Sequence, residues 1–423
     1  MREDVRSEVG EIPAIRGLRG VAVLWVVLFH YVVIREASGT PDPWIEALRR
    51  VPALDVLVRN GYLGVDLFFL ISGFLLALPW LVHAREGLAA PSAAGFYARR
   101  IRRIVPAYYV QLLVLFLVVL PLDLGPTYWR HDLYVYLWNG VAHGLFLQDT
   151  SPLTSGAIVL NGALWTLPVE AQFYALLPLA APLFVRAPRT ALAAAIAISL
   201  GWQWAGAHDL APIVRAEVAL GAHWHWTEEN VREILAMQLP AYVGHFALGI
   251  ALARAWLDAR GRIAAPRRRI GLALAALAAM LVLGAAVAGR VPVPREHLRM
   301  VPALALAVLL YAVVSSRGPV VRRIFAGGPL AFAGDVSYSA YLYHAPILVL
   351  WSIHPSIFRG WLALPGMLAV IGVAAWMSWR WVEQPFLRSA MRHRKDRPAA
   401  IAAEELALSA PRAPSSSASS SRP

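Results

Sequence analysis

Residues 15–33 read IRGLRGVAVLWVVLFHYVV, with Arg19 near the start, His30 near the end and almost nothing but apolar side chains between them. On an α-helix at about 100° per residue, the eleven steps from Arg19 to His30 come within about 20° of three whole turns, so the two share a face. At about 1.5 Å per residue they lie roughly 16 Å apart along the axis, half the hydrocarbon core of a bilayer. An imidazole that deep in lipid is costly unless it meets a polar cavity or a partner, and so marks a functional site. The structural alternative is that Arg19 snorkels to the interface and His30 hydrogen-bonds a neighbouring helix.

The composition agrees with a membrane helix there. Of 423 residues, 58% are hydrophobic and only 15% charged, and the mean hydropathy is +0.55. A globule of that length needs more polar surface, so the expected fold is an all-α polytopic membrane protein. The formal charge of +13 would point to nucleic acid in a soluble chain. Here the arginines sit in short clusters between apolar runs, which is a topology signal, and no nucleic-acid partner is expected. With no cysteine there is no disulfide, thiolate metal site or thiol nucleophile. Residues 1–12 form a short N-terminal segment that carries Glu3, Asp4, Glu8 and Glu11 and no apolar h-region, so the first helix is expected to be retained.

Runs long enough to span occur at 14–35, 61–83, 104–121, 163–185, 189–206, 236–257, 268–289, 299–315, 328–352 and 359–382, giving about ten transmembrane helices. The stretch 131–148, HDLYVYLWNGVAHGLFLQ, is shorter and more polar. Read as re-entrant or interfacial, it leaves Arg99–Arg103, Arg186, Arg189 and the basic clusters at 254–269 and 317–323 on one side, the cytoplasm, with both termini. One membrane domain is expected over 13–388. A basic and then Ala/Ser/Pro-rich tail follows at 389–423, read as disordered.

Several polar residues interrupt the later spans. Asp66 and Ser72 stand in GYLGVDLFFLISGFLLA at 61–77; a carboxylate beside an imidazole fixes its tautomer and raises its basicity, whereas the bland reading is a helix cap and close helix packing. Arg99, Arg100, Arg102 and Arg103 in FYARRIRRIVPAYYV either meet anionic lipid or grip a phosphorylated ligand with their planar forks. Glu170 lies in LWTLPVEAQFYALLPLA with Trp165 and Tyr174, a carboxylate flanked by rings, or else an intramembrane partner for an arginine. Asp335, Ser337, Tyr341 and His344 fall in GDVSYSAYLYHAPI, and Arg380 with Glu383, three apart, reads as a structural ion pair. His223 and His225, flanked by Trp224 and Trp226, are weak as a metal site, and no metal is expected.

Taken together the sequence resembles the acyltransferase-3 family of integral membrane O-acyltransferases over nearly all of 13–388. GLRGVAVLWVVLFH matches its leading arginine, ten residues, histidine motif, and GYLGVDLFFLISGFLL, FYARRIRRIVPAYY, LWTLPVEAQFY, SYSAYLYHAPI and WVEQPFLR match further segments in family order. The resemblance implies transfer of an acyl group, usually acetyl from acetyl-CoA as co-substrate, to a hydroxyl of a carbohydrate, lipid-linked glycan or glycosylated natural product, with no permanently bound cofactor. It makes His30 and Arg19 essential and marks Asp66, Glu170, Arg99–Arg103 and His344 as candidates, with His30 as general base or transient acyl carrier and Asp66 or Glu170 orienting it. Ser72, Tyr174 and His344 are read as acceptor-side or structural residues. Two departures stand out: Arg16 where the family commonly has aspartate, and Ala171 where it has a second glutamate. The rival classes are a proton-coupled exporter of a polar solute, which would show paired halves with interrupted helices, and a membrane scaffold that tolerates loss of His30.

Overall fold

The computed structural model describes residues 12–124, 133–150, 154, 159–208, 210–220, 227–259, 300–316, 319–353 and 357–388, and among them every regular element is a helix. Helix α1, Pro13–Ala37, starts with a proline at its first turn, where the missing N–H costs nothing. Two short helices follow, α2 over Pro43–Arg49, capped by the Asp42 carboxylate on Trp44 N and Ile45 N, and α3 over Pro52–Arg59. Then come α4 (Leu63–Arg85) and α5 (Ala93–Val114), the latter prolonged through a π-turn at Leu115–Val119 and a last turn to Leu124. Helix α6 is Leu133–Gly144; a 3₁₀ stretch, Val159–Trp165, leads into α7 (Thr166–Arg186) and α8 (Pro188–His208). The rest are α9 (Ala211–Leu220), α10 (Glu228–Leu235), α11 (Leu239–Asp258), α12 (Met300–Ser315), α13 (Pro319–Phe325), α14 (Gly328–Asp335), α15 (Ser337–Ile353) and α16 (Ala363–Ser378). A π-turn, Trp379–Glu383, carries α16 onward.

Six helical stretches among the described residues are long and apolar enough to cross a membrane: Pro13–Ala37, Leu63–Arg85, Ala93–Leu122, Asn161–Arg186, Val231–Asp258 and Gly360–Arg388. The expected span at 189–206 is covered by α8, and that at 268–289 lies outside the described residues. The run at 299–315 becomes α12, whose 16 residues reach about 24 Å. The run at 328–352 is not one helix: it breaks at Val336 into α14 and α15. Asp335 is drawn to Arg16 of α1, and the Ser337 hydroxyl turns back to donate to Gly334 O at 2.8 Å, so the chain bends where apolar content alone predicts continuity. Over 131–148 the helix is α6, 12 residues long and about 18 Å, too short to span. His223, Trp224, His225, Trp226, the N-terminal segment up to residue 11 and the tail beyond 388 also lie outside the described residues.

Helix α4 is apolar all round and accordingly sits in the middle, packed by α1, α7, α11 and α12. Backbone contact, with no side chain between, fixes the main crossings. A Cβ on Gly73 would meet Phe246 O at 2.1 Å and one on Gly249 would meet Leu70 O at 2.2 Å, locking α4 to α11. Gly64 lies as close to Ala22 O and Gly61 to Trp25 O, so α1 and α4 run antiparallel in tight register. On its other side α1 presents Gly17 and Gly20 to Phe325 and Leu330, and Gly334 returns the contact against Arg16 O. Lipid solvates large side chains as well as a protein interior does, so close small-residue packing of this kind is what holds membrane helices together. The faces turned outward carry Leu117, Leu122, Leu179, Leu183 and Trp381, as a lipid-exposed surface requires.

Gly20→Ala should force α1 off α14, because its Cβ would lie 2.0 Å from Leu330 O. The expected cost is about 1–3 kcal/mol, read as a lower melting temperature in lipid nanodiscs. Gly372→Ala in α16, with nothing within 4 Å, should leave stability equal or slightly raised.

Candidate active site

A cavity of about 120 Å³ lies between α1, α4, α5, α7 and α15. Helical spacing explains which side chains enter it. On α7, Thr166, Glu170 and Tyr174 are four apart and line one face; on α5, Arg100 and Arg103 are three apart and point in, while Arg99 and Arg102, about 100° round the helix, are exposed. Arg19 comes from α1, Ser72 from α4, and Tyr338 and Tyr341 from α15, against an apolar wall of Val65, Phe68, Phe69 and Leu75. Ser72 Oγ donates to Glu170 Oε1 at 2.9 Å. Arg103 lies 3.5 Å from Glu383, whose other carboxylate oxygen accepts from Ser339 at 2.5 Å. The Nε of Arg100 is buried with no hydrogen-bond partner, and its guanidinium carbon sits 6.0 Å from the Phe96 ring centre. Arg103 is matched by Glu383, and Arg19 and Arg100 share the carboxylate of Glu170, so this end of the cavity keeps a surplus of one positive charge. Oxyanions are the chemistry it fits.

His30 is not on that wall. Its Nδ1 lies 3.0 Å from Val26 O and 3.3 Å from Nε2 of His344, with the ring centres 4.8 Å apart. His344 is fully buried, and its Nδ1 is 2.7 Å from Tyr341 O. The Tyr341 ring lines the cavity 5.4 Å from the His344 ring. Its hydroxyl donates to Ala163 O and accepts from Thr166, both at 2.9 Å. Cavity and histidine pair are therefore neighbours, joined through Tyr341. Pro346 has no N–H for the Leu342 carbonyl, and Asn161 Nδ2 takes that carbonyl at 3.1 Å, pinning α15 to the 3₁₀ stretch before α7.

Two expectations are corrected. The imidazole of His30 is held by Val26 and His344 rather than by Asp66 or Glu170. Gly64, with Gly61 in the turn just before the helix, sets the face of α4 that meets α1, and Asp66, two residues and about 200° beyond Gly64, turns to α11, where His245 Nε2 stands 3.8 Å away. Glu170 is instead the anionic member of the arginine cavity. The second correction concerns Glu383, which is paired with Arg103 and not with Arg380. The π-turn at Trp379–Glu383 inserts an extra residue into the helix, rotating Glu383 inward and leaving Arg380 exposed.

Sequence reading missed His245, hidden in the apolar AYVGHFALG, and Asn161, whose signal was the proline at 346. It also missed Asp149, outside the spanning helices: burial pushes its carboxyl up to about 6, and the Gln172 amide donates to both its oxygens at 3.0 and 3.2 Å. No cluster of three metal-ligating side chains occurs among the described residues.

Comparison with known proteins adds a family. The model for an acyltransferase domain matches residues 12–379. The peptidoglycan O-acetyltransferase OatA of Listeria monocytogenes is 25% identical over 409 residues, which is 92% of this chain and 58% of that protein. Nodulation protein 10 of Rhizobium leguminosarum biovar viciae is 26% identical over 333 residues, 77% of this chain and 82% of its own. The chain thus spans little more than half of the Listeria protein. No solved structure matches it.

Removing one partner of the buried Arg103–Glu383 pair leaves an uncompensated charge. Glu383→Leu should cost about 3 kcal/mol, largely recovered in the Arg103→Leu/Glu383→Leu double variant. Arg380→Ala should change stability by less than about 0.5 kcal/mol. Melting curves of the four proteins compare the two assignments directly.

Proposed function

The chain belongs to the acyltransferase-domain family whose model covers residues 12–379, and from that premise we propose that it is a membrane O-acyltransferase. It moves an acyl group, acetyl in the simplest case, from acyl-coenzyme A to a hydroxyl of a carbohydrate acceptor. The observation that carries this reading is the cavity in which Arg19, Arg100 and Arg103 converge beside Glu170, with Tyr341 and then His344 leading from it to His30.

The donor enters from the cytoplasm, and its phosphates take the guanidiniums of Arg19, Arg100 and Arg103 that line the cavity. Arg99 and Arg102, on the exposed face of α5, meet anionic lipid at the same surface. Glu170 balances part of the positive charge and, through Ser72 and its neighbour Tyr174, holds the cavity open and polar when no donor is bound. The flexible pantetheine arm lies against Val65, Phe68, Phe69 and Leu75, and the thioester passes Tyr341 to His30. The roughly 16 Å between Arg19 and His30 is then a working distance: phosphates at one end, reacting carbonyl at the other.

At His30 the imidazole takes the proton of the acceptor hydroxyl as the oxygen attacks the thioester carbonyl. The C–S bond breaks, the carbonyl re-forms as an ester, and the departing thiolate receives the proton. Transient acylation of the imidazole is the other route with the same balance. The acceptor approaches from the far side of the membrane. The name of the Listeria relative supports a cell-wall glycan as its class, and a bacterial plasma membrane with both termini cytoplasmic suits that geometry.

The test is transfer of label from radiolabelled acetyl-CoA by purified protein in lipid nanodiscs to a panel of glycan acceptors. Wild type should acylate one acceptor class and His30→Ala none; label transfer undiminished in His30→Ala contradicts the assignment. Arg100→Ala should raise the donor KM by about 10–100-fold, the worth of one or two hydrogen bonds to a charged group, with kcat little changed.

A further inference from the structure

We infer that His344 is a positioning residue that locks His30 in the tautomer carrying its proton on Nδ1, leaving Nε2 as the atom that accepts a proton or an acyl group. The inference rests on the transferase reading of His30 given above and deepens it to a single nitrogen.

The argument follows the donors and acceptors in turn. A carbonyl oxygen can only accept, so the 2.7 Å contact between His344 Nδ1 and Tyr341 O requires the proton of His344 to be on Nδ1. In the neutral ring that leaves Nε2 with a bare lone pair, and that lone pair is aimed at His30 Nδ1, 3.3 Å away. Two bare nitrogens facing each other would repel, so His30 Nδ1 must carry its proton. The second neighbour of that nitrogen makes the same demand: Val26 O, at 3.0 Å, is again an acceptor only. Val26 O, however, lies four residues back in the same helix, where it already takes the backbone N–H of His30. Its second lone pair is still open, so the hydrogen on His30 Nδ1 is shared between Val26 O and the lone pair of His344. With Nδ1 occupied on both counts, His30 Nε2 is the free, basic end of the ring, on the side away from His344.

Position as well as protonation is fixed. The His344 side chain is fully buried and crosses the His30 ring at 66°, so the imidazole of His30 cannot rotate without losing its bond or striking its neighbour. His344 is itself anchored at its own turn, because Tyr341 is tied by its hydroxyl to Ala163 and Thr166, and the carbonyl of Leu342 is tied to Asn161. The ladder thus runs from α7 through α15 to one nitrogen on α1. A histidine can serve here where a carboxylate would be expected, since it supplies an acceptor without placing a negative charge in the membrane interior.

The test uses the full chain in lipid nanodiscs, labelled with ¹⁵N-histidine, with the His30 resonances identified by their loss in His30→Gln. Wild type should show His30 Nδ1 protonated and Nε2 bare. His344→Gln, whose side-chain carbonyl can take the same hydrogen, should preserve that tautomer; His344→Phe should yield a mixture of both. In the transfer assay His344→Phe should lose kcat on the order of 100-fold, the scale of a misheld general base, at unchanged donor KM, and His344→Gln should recover most of the loss. A wild-type His30 protonated on Nε2, or a His344→Phe variant with the tautomer and kcat of wild type, overturns the inference and leaves the transferase reading standing. Failure of wild type to transfer label overturns that reading, while the tautomer is still measured. Should His344→Phe not fold, the wild-type and His344→Gln spectra decide alone.

Discussion

Backbone contact along one face of α1 sets the rest of the molecule. Gly17 and Gly20 meet Phe325 and Leu330, Gly334 meets Arg16 O, and Asp335 takes the Arg16 guanidinium, so the rotation of α1 about its own axis is fixed at its first two turns. From that rotation follow both ends of the site. Arg19 faces the cavity of α4, α5 and α7, and His30, three turns on, faces α15. A larger residue at Gly20 would move both, although it touches neither. The Arg16–Asp335 pair also accounts for the unusual basic residue before the glycine motif, which has a carboxylate waiting for it on α14.

A bilayer offers buried polar groups no water, so each must be answered by protein or kept for a ligand. Most are answered: Asp66 by His245, Glu383 by Arg103 and Ser339, Leu342 O by Asn161, Asp42 by Tyr31 and Arg35. The arginine cavity differs from these pairs: Arg103 is already matched by Glu383, while Arg19 and Arg100 share the carboxylate of Glu170, leaving one guanidinium more than the carboxylates balance. Among the described residues the polar interior thus contains pairs that hold helices together and a cavity with an excess of guanidinium groups.

Much of this was legible in the sequence, and the limits have physical causes. The long apolar runs and the shared face of Arg19 and His30 follow from helical periodicity, whereas the four arginines at 99–103 form one cluster in sequence and only the packing of α5 selects Arg100 and Arg103 for the cavity. The partner of His30 was not legible either, because a carboxylate is the usual orienting group and two lay within reach in the alignment of polar residues. Which side of α4 Asp66 occupies depends on glycine contacts that composition does not reveal. The π-turn that swings Glu383 to Arg103, and the break at Val336 inside an apolar run, are local departures from the regular helix on which every periodicity argument relies.

The central claim is that one donor molecule reaches from the arginines to the histidine pair. It is tested most directly by a cryo-electron microscopy map of the protein in nanodiscs with an unreactive thioether analogue of acetyl-coenzyme A. The account predicts phosphate density within hydrogen-bond distance of Arg19, Arg100 and Arg103, the arm passing Tyr341, and the terminal carbonyl beside Nε2 of His30. An analogue seated elsewhere, or with its acyl end turned away from His30, would contradict it.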